Sequence, residues 1–243
     1  NHGITPFVVD KKPDHDIEAP LFNICIFNKN SENNLTYFED KNTEKIYSVP
    51  RFSKEWCDKL SEIYPKKITN INDRKFRATF MLSKWLKRDD KEKILSAINI
   101  VSKIENIEVI IKPHTRGMVI DEEFPLNVLI ADEEYHSRQI IQDSDVVIFT
   151  RSSIFLDAML LNKAVLHLSY ATKVDLASKD LNSCKIYNQQ DLVSKLNDIR
   201  NYGPLYSSKD RENCINFYAG KDDGKMLDNV ISKIKLITDR LSK

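Results

Sequence analysis

From residue 78 onward, short runs of apolar residues alternate with longer segments whose apolar residues recur every three or four positions. Runs that are apolar throughout are typical of strands buried on both faces, and the wider spacing is typical of helices. The predicted strands are 78–82, 107–111, 127–130, 146–149, 164–168 and a weak one at 185–187. The predicted helices are 89–104, 135–142, 153–161, 190–200, 209–217 and 226–241.

This alternation predicts an α/β fold in which helices cover both faces of a doubly wound, mainly parallel sheet. We assign it to residues 70–243, with the last helices closing the domain. Residues 1–69 are predicted to form an irregular linking segment packed on that domain. The elements predicted within this segment are strands at 21–27 and 45–49, a polar loop at 28–43 and a helix at 53–64. Sheets of this kind bind ligands beyond the carboxyl ends of their strands, so the loops after residues 111 and 149 are the expected site.

Composition narrows the classes of protein without choosing one. The 243 residues carry 37 Lys and Arg against 36 Asp and Glu, a net charge of +1, so charge does not favour a nucleic-acid partner. The apolar runs are far shorter than the roughly 20 residues that span a bilayer, which leaves only a peripheral membrane contact through short basic patches. Four widely spaced cysteines without a CxxC pair favour free thiols in the cytoplasm.

The segment 145–162 combines a buried strand, a short polar turn and an amphipathic helix. Two adjacent serines, Ser152 and Ser153, stand where the helix is predicted to begin. A helix start exposes backbone N–H groups and the positive end of the peptide dipoles, so it attracts anions. Together with Thr150 and Arg151, the serines predict a phosphate-binding turn. The structural alternative stays open, because serine is among the commonest N-cap residues.

A second cluster of polar residues follows the strand at 107–111. Lys112, His114 and Arg116 lie where the active-site loop of such a sheet is expected. Pro113 stiffens the turn and favours one direction of the imidazole, which could then donate to a phosphate or a leaving group. The alternative is a solvated basic loop with a capping histidine. If the loop is functional, it meets the serine turn at one edge of the sheet.

The N-terminal end adds a candidate base, and the chain lacks the usual cofactor motifs. Gly3 permits an unusual backbone that could expose His2 as a base, although a terminal histidine is more often simply solvated. The acids around His15 form too common a pattern to indicate a metal, so no metal is predicted. With five glycines and no glycine-rich motif, no dinucleotide cofactor is expected. The chain begins at Asn1, from which we expect a fragment with a domain missing upstream.

These three segments resemble the CDP-glycerol glycerophosphotransferase family, which makes wall teichoic acid polymers. They also resemble related GT-B glycosyltransferases of capsule synthesis that use CMP-sugars. Those enzymes carry a His-Gly-Thr-Pro segment, a later Arg/Lys-x-His-Pro motif, and an Asp-Tyr-Ser-Ser-Ile-x-x-Asp motif that opens a helix. The matching segments here are 2–6, 112–115 and 150–157, and the likeness is strongest over 107–170.

The chain departs from the family pattern at several positions. Ile4 is inserted between the glycine and the threonine of the first segment, and Thr115 replaces the proline of the second. Thr150 and Arg151 replace Asp-Tyr in the third. Arg151 brings an additional positive charge, which favours a donor phosphate or an acidic acceptor.

The resemblance implies a role for each matched residue. It implies that His2 is the general base on the acceptor hydroxyl and that His114 holds the phosphates of the donor. It also implies that Ser152 and Ser153 hold those phosphates at the helix start. The fold it implies is the Rossmann-like, nucleotide-binding C-terminal half of a GT-B enzyme.

The function expected from the resemblance is a transferase of bacterial surface-polysaccharide assembly. Its donor is a nucleotide-activated sugar or polyol phosphate, CMP- or CDP-linked, and its acceptor is a polysaccharide or a lipid-linked chain. Such an enzyme is cytoplasmic and docks on the inner face of the membrane. Two alternatives stay open: a nucleotide-sugar epimerase of the same architecture, and a nucleotide-binding module without turnover. The nucleotide base, the sugar and the acceptor are not determined by the sequence.

Overall fold

A computed structural model describes residues 23–27, 43–65, 75–83, 89–114, 124–132, 134–176 and 178–241. The strands are β1 (Asn23–Phe27), β2 (Thr43–Tyr47), β3 (Phe76–Met81), β4 (Ile107–Lys112), β5 (Val128–Ile130), β6 (Val146–Phe149) and β7 (Ala164–His167). The helices are α1 (Lys54–Ile63), α2 (Lys91–Ser102), α3 (Ser137–Asp143), α4 (Ile154–Leu160), α5 (Gln189–Tyr202), α6 (Ser208–Ala219) and α7 (Met226–Leu241).

The main sheet has five strands in the order β5-β4-β3-β6-β7, and every neighbouring pair is parallel. The order runs outward from β3 in both directions, so the chain reverses its direction of winding after β5, and the point of reversal in the sheet lies between β3 and β6. A doubly wound sheet opens a crevice at such a reversal, beyond the carboxyl ends of the strands. Here the ends of β3 and β6 border that crevice, and the loop that follows β4 lies one strand away. The predicted α/β fold is confirmed.

The side chains of β6 show why its residues are all apolar. Val147 and Phe149 pack into one buried cluster, with α3, α4 and α6. Val146 and Ile148 pack into a second cluster, with α2 and α5 on the other face. Successive side chains of a strand point to opposite faces, so a strand covered on both sides is apolar at every position.

A separate two-stranded parallel sheet is formed by β1 and β2. Ile46 of β2 is buried together with Val230 and Ile237 of α7, so the last helix covers this small sheet. The predicted strands at 21–27 and 45–49 correspond to β1 and β2, and the predicted helix at 53–64 to α1. The division of the chain into 1–69 and 70–243 stays a prediction.

One predicted element is wrong. Residues 185–187 do not form a strand; Lys185 makes only an isolated parallel bridge with His167, and the Ile186 N–H donates to the His167 carbonyl. The reason is local. The 3₁₀ segment Lys179–Cys184 ends immediately before, and Asn188 already caps α5, so pairing with β7 is limited to one bridge. The other predicted strands and helices of the main sheet are confirmed within a few residues.

The described cysteines bear out the prediction of free thiols. Cys57, Cys184 and Cys214 are free and buried, as expected for structural thiols, and the side chain of Cys25 lies outside the described residues. Burial raises the pKa of the Cys184 thiol to about 11, so this thiol stays protonated near neutral pH.

Within the described ranges, no helix combines the length and apolar composition needed to cross a membrane.

Candidate functional site

Two adjoining pockets open at the carboxyl edge of the main sheet. The polar pocket, about 450 Å³, is lined by the ends of β3 and β4, the His114 loop and the start of α4. The aromatic pocket, about 690 Å³, lies between α1, α3 and α4 and is lined mainly by Trp56, Leu60, Tyr135 and His136. Arg51, Ser137 and Ile154 line both pockets, so the two form one continuous cleft.

The structure brings most of the predicted site residues together. Lys112, His114, Arg151, Ser152 and Ser153 all line the polar pocket, although about 40 residues of chain separate the two loops. This convergence follows from the strand order, because the loops after β4 and β6 both flank β3. The roles given to these residues stay predictions.

Of the remaining predicted site residues, only Thr150 is described by the structure. His2 and Arg116 lie outside the described residues. Thr150 is buried at the end of β6, where its hydroxyl lies 2.9 Å from the Ser83 hydroxyl. This hydrogen bond joins the segments that follow β3 and β6, so Thr150 helps to hold together two of the strand ends next to the polar pocket.

Lys112 is the last residue of β4 and is almost completely buried, with 4% of its surface exposed. Its ammonium donates to the backbone carbonyl of Asp132, just beyond β5. Burying an ammonium costs free energy unless polar groups such as this carbonyl solvate it. The positive charge acts strongly on nearby anions, because the dielectric constant around it is low. Lys112 therefore gives the polar pocket an attraction for anions.

Arg151 is paired with the carboxylate of Asp89, which lies just before α2. Its guanidinium contacts Asp89 through Nε, at 3.1 and 3.0 Å from the two carboxylate oxygens, and through Nη2 at 2.9 Å. The Asp89 side chain has no exposed surface, and it also accepts from the Ser83 hydroxyl at 3.2 Å. The positive charge of Arg151, which the sequence predicted to bind a phosphate, is therefore largely compensated by Asp89.

The serine turn enters α4 without the usual cap. Ser153 occupies the N-cap position with helical backbone angles (φ −67°, ψ −2°), and its side chain makes no capping bond. The Ser152 hydroxyl instead accepts from the Ile154 N–H at 3.3 Å. Helix α4 has only seven residues, so its dipole is weak, and anion binding at this turn depends mainly on side chains.

Sequence reasoning missed an ion pair on the wall between the pockets. Arg51 Nη2 lies 2.9 Å from Asp157 Oδ2, across 106 residues of chain. Asp157 follows Ser153 by four positions, which places both on the same side of α4 and could have flagged the acid. Arg51 has no comparable signal, because it comes from the 3₁₀ turn Pro50–Phe52 far upstream.

Two stacked rings and a buried cation lie at the α1–α3 interface, where His136 and Arg138 also line the aromatic pocket. The rings of Tyr64 and His136 are stacked, with centroids 3.8 Å apart and planes within 3°. Burial lowers the pKa of His136, so its imidazole is neutral near pH 7. Arg138 is 96% buried by area (4% exposed) and donates through Nη2 to the Cys57 carbonyl and the Ser61 hydroxyl, both at 3.1 Å.

His167, the last residue of β7, is a buried histidine. His167 has no exposed surface, and its Nδ1 lies 2.8 Å from the Ser169 hydroxyl. Burial lowers its pKa to about 4, against a weaker opposing effect of a hydrogen bond with the Thr150 backbone. The imidazole is therefore neutral in the folded protein and cannot supply charge to a ligand near neutral pH.

This burial predicts a dependence of stability on pH. An unfolded histidine takes up a proton at about pH 6.5, whereas folded His167 resists protonation until about pH 4, so acid favours the unfolded state in that interval. We expect the free energy of unfolding to fall as the pH drops through this window. The slope should be shallower in His167→Asn, which keeps a polar atom near Ser169. Parallel curves for the two proteins, measured by denaturant titration, would contradict this assignment.

No group of three or more His, Cys, Asp or Glu side chains suited to a metal occurs among the residues that the structure describes. The cations that line the cleft are Lys112, Arg51, Arg138 and Arg151. Asp157 forms an ion pair with Arg51, and Asp89 forms one with Arg151. The arrangement is suited to an anion next to a ring: cationic and hydroxyl groups at one end, aromatic surface at the other.

Comparison with solved structures identifies the architecture. A variant of the wall teichoic acid polymerase TagF soaked with CDPG is similar over 100% of this chain and 67% of its own, with a TM-score of 0.56 and 13% identity. The fold is of the GT-B type. TagF without the variant gives a TM-score of 0.54 at 12% identity, over 99% of this chain and 67% of its own. The same TagF variant, in a structure without the soak, gives 0.53 at 13% identity, over 90% of this chain and 59% of its own.

These similarities concern the fold alone. The chain spans about three fifths to two thirds of the length of the polymerase chains it matches. The sequence itself matches no protein-family model and no curated protein. The α/β, Rossmann-like architecture is therefore shown, and the activity has to be argued from the cleft.

Proposed function

We propose that the chain is the donor-binding part of a GT-B-type transferase of bacterial surface-polysaccharide assembly. It transfers a sugar or polyol phosphate from a nucleotide-activated donor to a polysaccharide or lipid-linked acceptor. The observation that carries the proposal is the polar pocket, where Lys112, His114 and Ser153 converge beyond the carboxyl ends of the strands. Such convergence at a reversal of strand order is where sheets of this class bind nucleotides.

The chemistry asked of the pocket is stabilisation of a departing nucleotide phosphate. As the bond between the donor group and the nucleotide breaks, negative charge grows on the phosphate oxygens. Fixed cations and hydroxyl donors in a site with little water stabilise that charge without having to reorganise. Lys112 supplies the charge, and His114 and Ser153 supply polar groups on either side of the pocket.

The aromatic pocket supports the same proposal from the other end of the ligand. A nucleoside needs apolar surface for its base and a few polar groups for its ribose. Trp56 and Tyr135 are both partly exposed, at 40% and 37%, and both line this pocket. Because the two pockets share a wall, one nucleotide can place its phosphate in the polar pocket and its base in the aromatic one.

The acceptor side of the reaction is proposed from His2. The acceptor hydroxyl attacks the sugar carbon or the phosphorus of the donor, its proton passes to His2, and the nucleotide leaves with the bonding electrons. His2 lies outside the described residues, so its role rests on the resemblance. A lipid-linked acceptor would put the enzyme on the inner face of the membrane.

A thermal-shift and calorimetric screen against CMP, CDP, UDP and GDP tests the proposal. A ligand that binds only the folded state stabilises it by about 2.7 kcal/mol at a hundredfold excess over the dissociation constant. We expect a cytidine nucleotide to raise the melting temperature most, and Ser153→Ala to weaken its binding. Absence of any response to all four nucleotides would contradict the proposal.

Turnover then separates the classes of function. Nucleotide released only when an acceptor is added supports the transferase. Conversion of a UDP-sugar without an acceptor would indicate an epimerase instead. Tight nucleotide binding without turnover in a longer form of the protein, together with an inert His2→Ala change, would indicate a binding module.

A further inference from the structure

Arg51 occupies the wall between the two pockets of the cleft. It lines both of them, and 35% of its side chain is exposed. Its guanidinium contacts Asp157 at 2.9 Å and lies 5.0 Å from the centre of the Phe52 ring. An arginine held on one edge by a carboxylate and over an aromatic face has a defined orientation and still presents donors to the cleft.

Asp157 is the acid that holds Arg51, and its surroundings keep it in place. Only 8% of its side chain is exposed, and it belongs to α4, whose start forms the serine turn. The charged or titratable groups that act on it are Arg51 from the 3₁₀ turn and Arg138 and His136 from α3. Burial raises the pKa of Asp157, and the two arginines oppose that effect.

Arg138 gives this pair a second cation. Its Nε and Nη1 are buried and have no hydrogen-bond partner among the described residues. Its charge acts on Asp157 without a direct ion pair between the two, so Asp157 stays partly compensated even when Arg51 shares its donors with a ligand. The positive charges on this wall therefore exceed the single negative charge of Asp157.

We propose that Arg51 binds the phosphate of the donor at the junction of the two pockets, and that Asp157 is the positioning residue that holds its guanidinium there. This inference rests on the proposed function and adds a phosphate contact from a segment far upstream of both loops. An arginine fork can contact a carboxylate and a phosphate at the same time, since its five donors lie in one plane. Arg51 would thereby fix the angle between the nucleoside in the aromatic pocket and the phosphate in the polar one.

The experiment compares each nucleoside diphosphate with its own nucleoside, using cytidine, uridine and guanosine pairs and calorimetry on the full chain. The ratio of the two dissociation constants measures what the phosphates contribute. We expect Arg51→Gln to weaken binding of the diphosphate about 10- to 100-fold and to leave binding of the nucleoside unchanged. Asp157→Asn, which keeps the shape of the side chain, should reduce the same ratio by a smaller factor.

Arg200→Gln is the matched control, because this arginine lies on α5 and lines neither pocket. It should change neither constant. An unchanged ratio in Arg51→Gln would overturn the phosphate contact, and an equal loss for nucleoside and diphosphate would show that Arg51 is only structural. If Asp157→Asn does not fold, Arg51→Gln still decides, since the Arg51 side chain is itself partly exposed. If the unaltered protein binds no nucleotide, the proposed function fails, and this inference falls with it.

Discussion

Replacing Asp89 by alanine is expected to lower the free energy of unfolding by about 3–5 kcal/mol, which is the usual cost of removing one partner of a buried ion pair. The carboxylate is fully enclosed, and Arg151 reaches it through two nitrogens. Without it, the largely buried guanidinium of Arg151, at 15% exposure, loses the carboxylate that it contacts most closely. Urea unfolding followed by circular dichroism measures the loss.

Asp90→Asn is the matched control for this substitution. It removes a carboxylate from the neighbouring residue, which is exposed at the start of α2, and keeps an oxygen that can accept from the Lys93 N–H. We expect a much smaller change there. The double variant Asp89→Ala with Arg151→Met should recover part of the lost stability, because no buried charge is left unpaired. A loss below about 1 kcal/mol in Asp89→Ala would show that the pair is unimportant.

Replacing His114 by leucine is expected to slow transfer about 100- to 1,000-fold, the range found when one donor to a developing oxyanion is removed. His114 lines the polar pocket opposite the serine turn, and the proposed reaction builds negative charge between them. The rate of nucleotide release from the donor, measured with saturating acceptor, reports this step. Nucleotide affinity should fall much less, because the charge on the phosphate grows as the bond breaks.

His114→Gln is the corresponding control, since its amide can still donate a hydrogen bond but cannot become a cation. A rate close to that of the original protein would show that a hydrogen bond is sufficient. A rate as low as that of His114→Leu would show that a hydrogen bond from a neutral amide is not sufficient. Leucine without effect on the rate would remove His114 from the site.

Much of the fold could be predicted from the sequence, because each strand of the main sheet carries its own signal. The run Val146–Phe149 is apolar at every position, and in the structure its side chains supply both buried clusters. The strand prediction at 185–187 was wrong because the apolar signal of this short segment is weak. There the neighbouring 3₁₀ turn and helix cap leave no room for pairing beyond one bridge.

The candidate site was only partly predictable. Residues close to a predicted strand could be placed from the sequence, whereas their distant ion-pair partners could not. Lys112, His114, Ser152 and Ser153 each follow a recognisable strand, so the rule for parallel sheets places them at one edge. The partners that set their electrostatics follow no such rule. Asp89 reaches Arg151 across 62 residues, and Arg51 reaches Asp157 across 106.

The serine turn illustrates what each level of description can decide. The sequence alone determined that a strand, a polar turn and a helix follow one another, since apolar spacing and capping residues are local properties. Only the tertiary structure decided which charges near that turn are paired, because ion pairing depends on distances through space. Arg151, the most evident cation in the sequence, contacts buried Asp89, whereas Arg51 and Lys112 come from distant segments to line the same pocket.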